Sequence, residues 1–331
     1  MNARQHIKKL FSQSEDWTVV ALAKELNVSK QLIHRILNDF LEEGSIIKLG
    51  LPPKTIYRAV KNNALVADDV KEYPDLSYHP ESEYFKKHFL LISETGEYKE
   101  GIEGFAIWCQ KRNLPLEKTI KEYKLTKVKY DIYYTTDGFV NGTEKLAQTK
   151  GYNGIFVNSL FYLDFYAIER FGKTKLGTIL HFAKQGQNIF LMRILLNEIK
   201  SKLSAFLELH QIEAIGFVPP TIKRETQLMQ FLQDGLDIDL PLIHIRKISG
   251  LIAVPQKSLQ KIEERINNAD LTFTVPDSIQ HNKILLIDDA VGSGATINQI
   301  AKKIKNKNAS VSIIGLAIVG SFKGFDVITD V

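Results

Sequence analysis

Along residues 1–60 the apolar positions recur first at helical spacing and then at strand spacing. Ile7, Leu10 and Phe11 mark a first helix, and Val19 to Leu26, opened by Thr18 as N-cap, mark a second. A third, capped by Ser29, carries Leu32, Ile33, Ile36, Leu37, Phe40 and Leu41 on one stripe. NVS is a tight turn between the second and third helices, and the runs SIIKLG and KTIYRAV, joined around Pro52 and Pro53, predict two short strands. Residues 61–80 are polar, include two prolines, and are expected to form a linker. Residues 81–155 mix helix and strand signals without a motif. Here GFAIWCQKRNL reads as a helix burying Phe105, Ile107, Trp108 and Cys109, and KVKYDIYYTT alternates like a strand.

From 156 to 331 the rhythm changes to alternating helix and strand. Residues 187–210 predict a long amphipathic helix, followed by strand IEAIGFV, helix KRETQLMQFLQDGL, strands PLIHI and KILLIDD, helix TINQIAKKIKNK and strand SVSIIGLAIVG. Such alternation predicts an α/β region with a mostly parallel, doubly wound sheet, whose ligands sit beyond the carboxyl ends of the strands.

Composition narrows the picture modestly. With 331 residues and 44% hydrophobic content the chain can bury more than one core. A net charge of +5 permits a polyanionic partner without demanding one. One cysteine, Cys109, excludes an intramolecular disulfide and a cysteine-rich zinc site, and fits a reducing compartment. There is no apolar leader at the N-terminus and no run near the roughly 18 apolar residues of a membrane helix, so a cytoplasmic protein without membrane contact is expected.

The stretch ILLIDDAVGSGAT, residues 284–296, concentrates the candidate chemistry. A buried strand runs into two adjacent carboxylates, Asp288 and Asp289, and then into a small-residue loop, Ala290, Val291, Gly292, Ser293, Gly294, Ala295 and Thr296, that opens a helix. Backbone N–H groups at a helix N-terminus hold phosphate, and glycines let the main chain approach it. Carboxylates accept hydrogen bonds or bind hard cations, so the acids suit ligand hydroxyls a few ångströms from that phosphate, or a divalent cation. A ribose 5-phosphate offers both groups in one molecule.

Two resemblances sharpen these readings. VVALAKELNVSKQLIHRILNDFLEEGSI resembles winged helix-turn-helix domains, which implies DNA binding through Ser29, Lys30, Gln31, His34 and Arg35 on the third helix, with Lys48, Lys54 and Arg58 near phosphates. Nine basic residues against six acidic in 1–60 is a weak excess, and solvated charges on a dimerisation module are the plainer alternative. Over about 160–331, ILLIDDAVGSGAT resembles the phosphoribosyl pyrophosphate motif of type I phosphoribosyltransferases, and AIGFVPPTIKRETQLMQFL and LPLIHIRKISGLIAVPQKSLQKIEERINNADLTF are similar to segments of their ComF-like branch. That resemblance implies ribose binding by Asp288 and Asp289, with Mg²⁺ held directly or through water, and 5′-phosphate binding by Ala290 to Thr296. It also implies a pyrophosphate loop with Pro220, Thr221, Lys223 and Arg224, and a mobile segment with Gln256, Lys257 and Arg265. The four-cysteine element common in the ComF branch is missing.

Other phosphate sites fit less well. In AIERFGKT, Ala167 stands where a P-loop has its first glycine, and in GSGATI, Ile297 replaces the third glycine of a dinucleotide fingerprint. A winged helix fused to such a domain implies a homodimeric DNA-binding transcriptional regulator that senses phosphoribosyl pyrophosphate or a related ribose phosphate. Transfer through an oxocarbenium-like state depends mainly on positioning, metal and charge, so the same residues also serve an active phosphoribosyltransferase of nucleotide metabolism, or a ComF-like accessory of DNA uptake.

Overall fold

The computed structural model describes residues 3–13, 16–42, 45–49, 55–59, 76–220, 222, 224–248, 259 and 261–321. Lys54, Thr221, Lys223, Gln256, Lys257 and most of the expected linker lie outside the described residues. The chain divides into two compact units, Met1–Pro74 with Glu94–Gly96, and Asp75–Ser93 with Glu97–Val331.

In the first unit, α1 (Ala3–Gln13), β1 (Asp16–Trp17), α2 (Val19–Leu26), α3 (Lys30–Glu42), β2 (Ile46–Leu49) and β3 (Ile56–Ala59) follow in order. The strands form an antiparallel sheet ordered β1-β3-β2. Thr18 Oγ1 accepts from Ala21 N at 3.1 Å, which caps α2, and Asn27 at φ 52° closes it in the left-handed region that asparagine tolerates. Ile7, Phe11, Leu22, Ile33, Ile36, Leu37, Phe40, Ile46 and Tyr57 are buried together. Strand β1 has too few residues to show as a pattern. Its Asp16 sits opposite Arg58 and accepts from both Nε and Nη2, at 2.7 and 2.8 Å. Arg58, expected near phosphates, is thereby engaged within the sheet.

The second unit opens with α4 (Ser82–His88), the hairpin β4 (Leu90–Ile92) and β5 (Tyr98–Glu100), α5 (Gly101–Gln110), α6 (Leu116–Asp131), β6 (Val140–Asn141) and α7 (Thr143–Gln148). It continues with β7 (Ser159–Phe165), α8 (Lys175–Gln185), α9 (Ile189–Leu209), β8 (Ala214–Phe217), α10 (Leu228–Leu236), β9 (Arg246–Lys247) and α11 (Ile262–Thr272). It ends with β10 (Phe273–Thr274), β11 (Lys283–Val291), α12 (Ala295–Lys307) and β12 (Ser312–Gly320). The central sheet has the order β6-β7-β12-β11-β8; all its pairings are parallel except that of β6. The class is α/β with a mostly parallel sheet. Apart from Glu94–Gly96, residues 81–155 fall within this unit, and their β6 supplies an edge strand to the same sheet.

Side chains of a strand alternate between faces. Phe161, Leu163, Ile215, Phe217, Leu285, Ile287, Ile314 and Leu316 share one core with Ile179, Leu195, Leu203 and Leu232 from α8, α9 and α10. On the opposite face a Cβ at Gly315 would lie 2.8 Å from Leu160 and 3.0 Å from Ile297 of α12, so close packing requires glycine there.

Two expected strands differ. The first half of KVKYDIYYTT lies in α6, whose buried Thr119, Ile120, Tyr123, Thr126 and Lys127 recur at helical spacing over a longer window than the local alternation. PLIHI forms one parallel bridge, Ile215 with Leu242, flanking β8. Pro241 has no N–H to offer, although its carbonyl accepts from Ile215 N at 2.9 Å.

Candidate functional site

Strand β11 ends the apolar run Ile284 to Ile287 in the two acids, beyond the point where β8 stops pairing with it. Val218 N donates to Ile287 O at 2.8 Å, which holds the residue after β8 beside the residue that precedes Asp288. The two acids differ in their partners. Asp289 is buried and meets Lys184 from the last turn of α8, with Nζ 2.5 Å from Oδ2. Asp288 is half-buried and accepts from Asp289 N at 2.8 Å through Oδ1. Burial, followed by the charge of Asp289, pushes the Asp288 carboxyl up to about 7 against the opposing pull of Lys184 and the Asp289 N–H. Residual charge at a strand end that resists it is a feature of sites built to receive a cation or a donor.

The loop after the acids leads straight into α12. Gly294 adopts φ 81° as its N-cap, and a Cβ there would lie 2.7 Å from Leu146 Cδ1. Ser293 is buried; its Oγ accepts from Ala295 N at 3.3 Å, and its carbonyl accepts from Tyr152 Oη at 2.8 Å. Asn298, fully buried in the first turn, donates to Gly154 O at 3.0 Å and accepts from Phe156 N at 2.7 Å. The residues around the loop are thus tied down from 152–156. Gly292 differs, because a Cβ there meets nothing within 4 Å, so its small size answers no packing demand among the described residues. The first-turn N–H groups of a helix have no intrahelical acceptor and, with the dipole, favour an anion.

Of the expected pyrophosphate loop, Pro220 is exposed and Arg224 is half-buried, donating through Nη2 to Gln185 Oε1 at 3.0 Å. Thr226 N donates to Gln187 Oε1 at 2.9 Å, so the end of α8 holds this segment as well as Asp289. Arg265, expected in a mobile segment, is buried on α11 with Nε donating to Leu259 O at 2.8 Å, and burial pulls its guanidinium below the usual range. The structure therefore sets Asp288, Asp289 and Ala290 to Thr296 in succession at one strand end, and joins Arg224 to Gln185, the neighbour of the Lys184 that meets Asp289. Lys184, Gln185 and Tyr152 were missed, because HFAKQGQ and GYNG carry no motif and only the packing of α8 and of residues 152–156 brings them in.

Asp288 and Asp289 are hard oxygen donors, and among the described residues they belong to no group of three or more acidic, histidine or cysteine ligands. That donor set fits Mg²⁺, which binds through one or two carboxylates and completes its shell with water and phosphate oxygens.

In the first unit, Lys30, Gln31, His34 and Arg35 are exposed on the N-terminal half of α3, while Ile33, Ile36 and Leu37 are buried beneath them. Ser29 Oγ accepts from Leu32 N at 3.3 Å and so acts as the helix cap. Lys48 is exposed on β2.

No family profile matches the chain, and no curated protein matches it. Among solved structures, a hypoxanthine phosphoribosyltransferase from Staphylococcus aureus is similar over 41% of this chain and 67% of that one, at 16% identity and a TM-score of 0.24. At that score the likeness has no bearing on function, for which the strand-end geometry is the basis. Among the described residues no helix is long and apolar enough to cross a membrane.

Proposed function

We propose that the strand end of β11 binds phosphoribosyl pyrophosphate or a related ribose 5-phosphate, and that the chain is a dimeric DNA-binding regulator responding to it. The observation that carries the ligand reading is the direct succession of two carboxylates, a left-handed glycine and the N-terminus of α12 at the carboxyl edge of a parallel sheet. In this arrangement the first turn of α12 and the loop from Ala290 to Thr296 hold the 5′-phosphate, and Asp288 and Asp289 face ribose hydroxyls. On this reading Arg224, which donates to Gln185, turns to a pyrophosphate oxygen when the ligand binds. Mg²⁺, when bound, would screen the acids from the pyrophosphate.

The regulatory half of the reading treats the first unit as a winged helix-turn-helix, with α3 as the element entering the major groove and Gln31, His34 and Arg35 toward base edges. One such module reads few base pairs, so a dimer spanning about one helical turn of DNA supplies the specificity. A ligand shifts DNA affinity only through different affinities for the DNA-competent and incompetent states.

Calorimetric titration with phosphoribosyl pyrophosphate, with and without MgCl₂, tests the ligand site. Saturable binding by the native chain that disappears in the double variant Asp288→Asn, Asp289→Asn is expected; equal binding by both, or by neither, refutes the assignment. Selection of bound duplexes from a random DNA pool tests the first unit, with an enriched sequence as the expected result. Pyrophosphate release in the presence of a nucleobase panel, above the level of the double variant, would favour a transferase instead.

A further inference from the structure

The acidic pair already has a cation of its own. We infer that Lys184 is the internal counter-ion of Asp289, and that it makes the site select a divalent cation delivered with a phosphate ester over the free cation. This rests on the ribose-phosphate reading of the same site.

The geometry sets up an exchange. Lys184 Nζ lies 2.5 Å from Asp289 Oδ2, so one carboxylate oxygen is already committed to an ammonium. A magnesium ion sits about 2 Å from a carboxylate oxygen, so on Asp289 it would stand within about 5 Å of that ammonium. At such a separation, in a partly buried setting, like charges repel strongly, and the ion and the ammonium compete for the carboxylate. The two partners differ in freedom. Asp289 keeps 11% of its side-chain exposure and is fixed on β11, whereas Lys184 keeps 35% and has a four-carbon arm at the end of α8. Lys184 is therefore the one that leaves.

The rest of the helix end stays in place, because Gln185 accepts from Arg224 and Gln187 accepts from Thr226 N on the neighbouring segment. Exchange thus moves one ammonium without dismantling the site. A free cation must displace Lys184 on its own binding energy. A cation carried by a phosphate ester brings contacts to the α12 N-terminus as well, and those offset the loss of the ion pair. Lys184 is on this account a positioning and specificity residue, which a scan for motifs does not reveal.

The test uses the full chain. MgCl₂ alone is titrated into the native protein, Lys184→Met and Lys184→Arg, with binding followed by calorimetry. Lys184→Met is expected to bind Mg²⁺ about ten-fold more tightly than the native chain, the effect of removing one charge-assisted pair, while Lys184→Arg stays within about two-fold. Lys184→Gln repeats the measurement should the methionine variant fold poorly. Reductive methylation read by mass spectrometry needs no variant: Mg²⁺ with phosphoribosyl pyrophosphate is expected to speed modification of Lys184 several-fold and to leave the exposed Lys202 unchanged. Equal Mg²⁺ affinities across the series, including no binding by any member, overturn the inference, as does a Lys184 reactivity that ignores phosphoribosyl pyrophosphate shown by calorimetry to bind. If phosphoribosyl pyrophosphate fails to bind while Lys184→Met still tightens Mg²⁺, the ribose-phosphate reading falls and the counter-ion role stands.

Discussion

Asp288 shows how a single residue can be placed against the interest of stability. Its carboxyl is raised from an ordinary carboxylate value to about 7 by burial and by Asp289, so ionising it costs the folded state free energy. The folded chain binds that proton more tightly than the unfolded one, so this contribution favours folding below about pH 4 and is lost as pH rises through about 7. Asp288→Asn should therefore stabilise the chain at pH 8, by about 2 kcal/mol once solvent screening of this half-buried group is allowed for, and the gain should vanish near pH 4. Thermal unfolding at the two pH values measures it, and a gain independent of pH would refute the cause given. The loop glycines make a second contrast. Gly294→Ala combines a left-handed φ with a 2.7 Å approach to Leu146 and should cost about 1–2 kcal/mol of stability. Gly292→Ala meets open space and should leave stability within about 0.5 kcal/mol. It should nonetheless weaken phosphate ligands if the main chain at 292 approaches them. Denaturation and calorimetry on the pair separate a packing glycine from a ligand glycine.

Among the elements, α8 joins the parts of the second unit. At its start, buried Lys175 bonds Glu100 of β5 at 2.6 Å, Glu198 of α9 at 2.8 Å and the carbonyl of Lys86 in α4 at 3.1 Å. Burial opposes its charge, but the two glutamates outweigh it and hold the ammonium above its usual range. At its end, Lys184 and Gln185 reach the acids and Arg224. Lys175→Met should cost about 2 kcal/mol, since both glutamates are partly exposed and can be rehydrated while the carbonyl loses its donor. Urea unfolding of the variant checks this, and a cost below about 0.5 kcal/mol would reduce the cluster to a surface ion pair. The same element explains why α4 and strands β4 and β5, which carry no chemistry, belong to the unit that holds the site.

At the scale of the whole molecule the regulator reading makes a quantitative demand. Gln31→Ala and Arg35→Ala should each weaken binding to the selected DNA about 10- to 100-fold, the worth of a base contact, and relax preference at one position. Lys48→Gln should act evenly across sequences and lower the salt slope by about one. Linkage then requires reciprocity: whatever factor phosphoribosyl pyrophosphate applies to DNA affinity, DNA must apply to the ligand's affinity. Fluorescence anisotropy with labelled duplex at rising ligand concentration, paired with ligand titration at saturating DNA, measures both factors. An enriched site whose affinity ignores the ligand would remove the sensing half and leave the DNA-binding half.

The sequence alone determined the elements whose pattern is local and long. The helices of residues 1–60 with their Thr18 and Ser29 caps, the strands KILLIDD and SVSIIGLAIVG, the helix after the glycine loop and the acid–glycine succession were all legible, because caps, periodicity and a buried strand act within a few residues of each other. Short or edge-bound elements were not. Strand β1 spans two residues, PLIHI makes one bridge, and KVKYDIYYTT alternates locally while its first half continues a helix whose buried positions lie mostly before it. The tertiary structure alone decided which side chains meet. Lys184 lies over a hundred residues from Asp289, so no spacing could announce the pair; the parallel order β7-β12-β11-β8 and the packing of α8 against it create the contact. The same packing makes equal neighbouring letters unlike: Asp289 is held by an ammonium, while burial and the charge of Asp289 push the Asp288 carboxyl up.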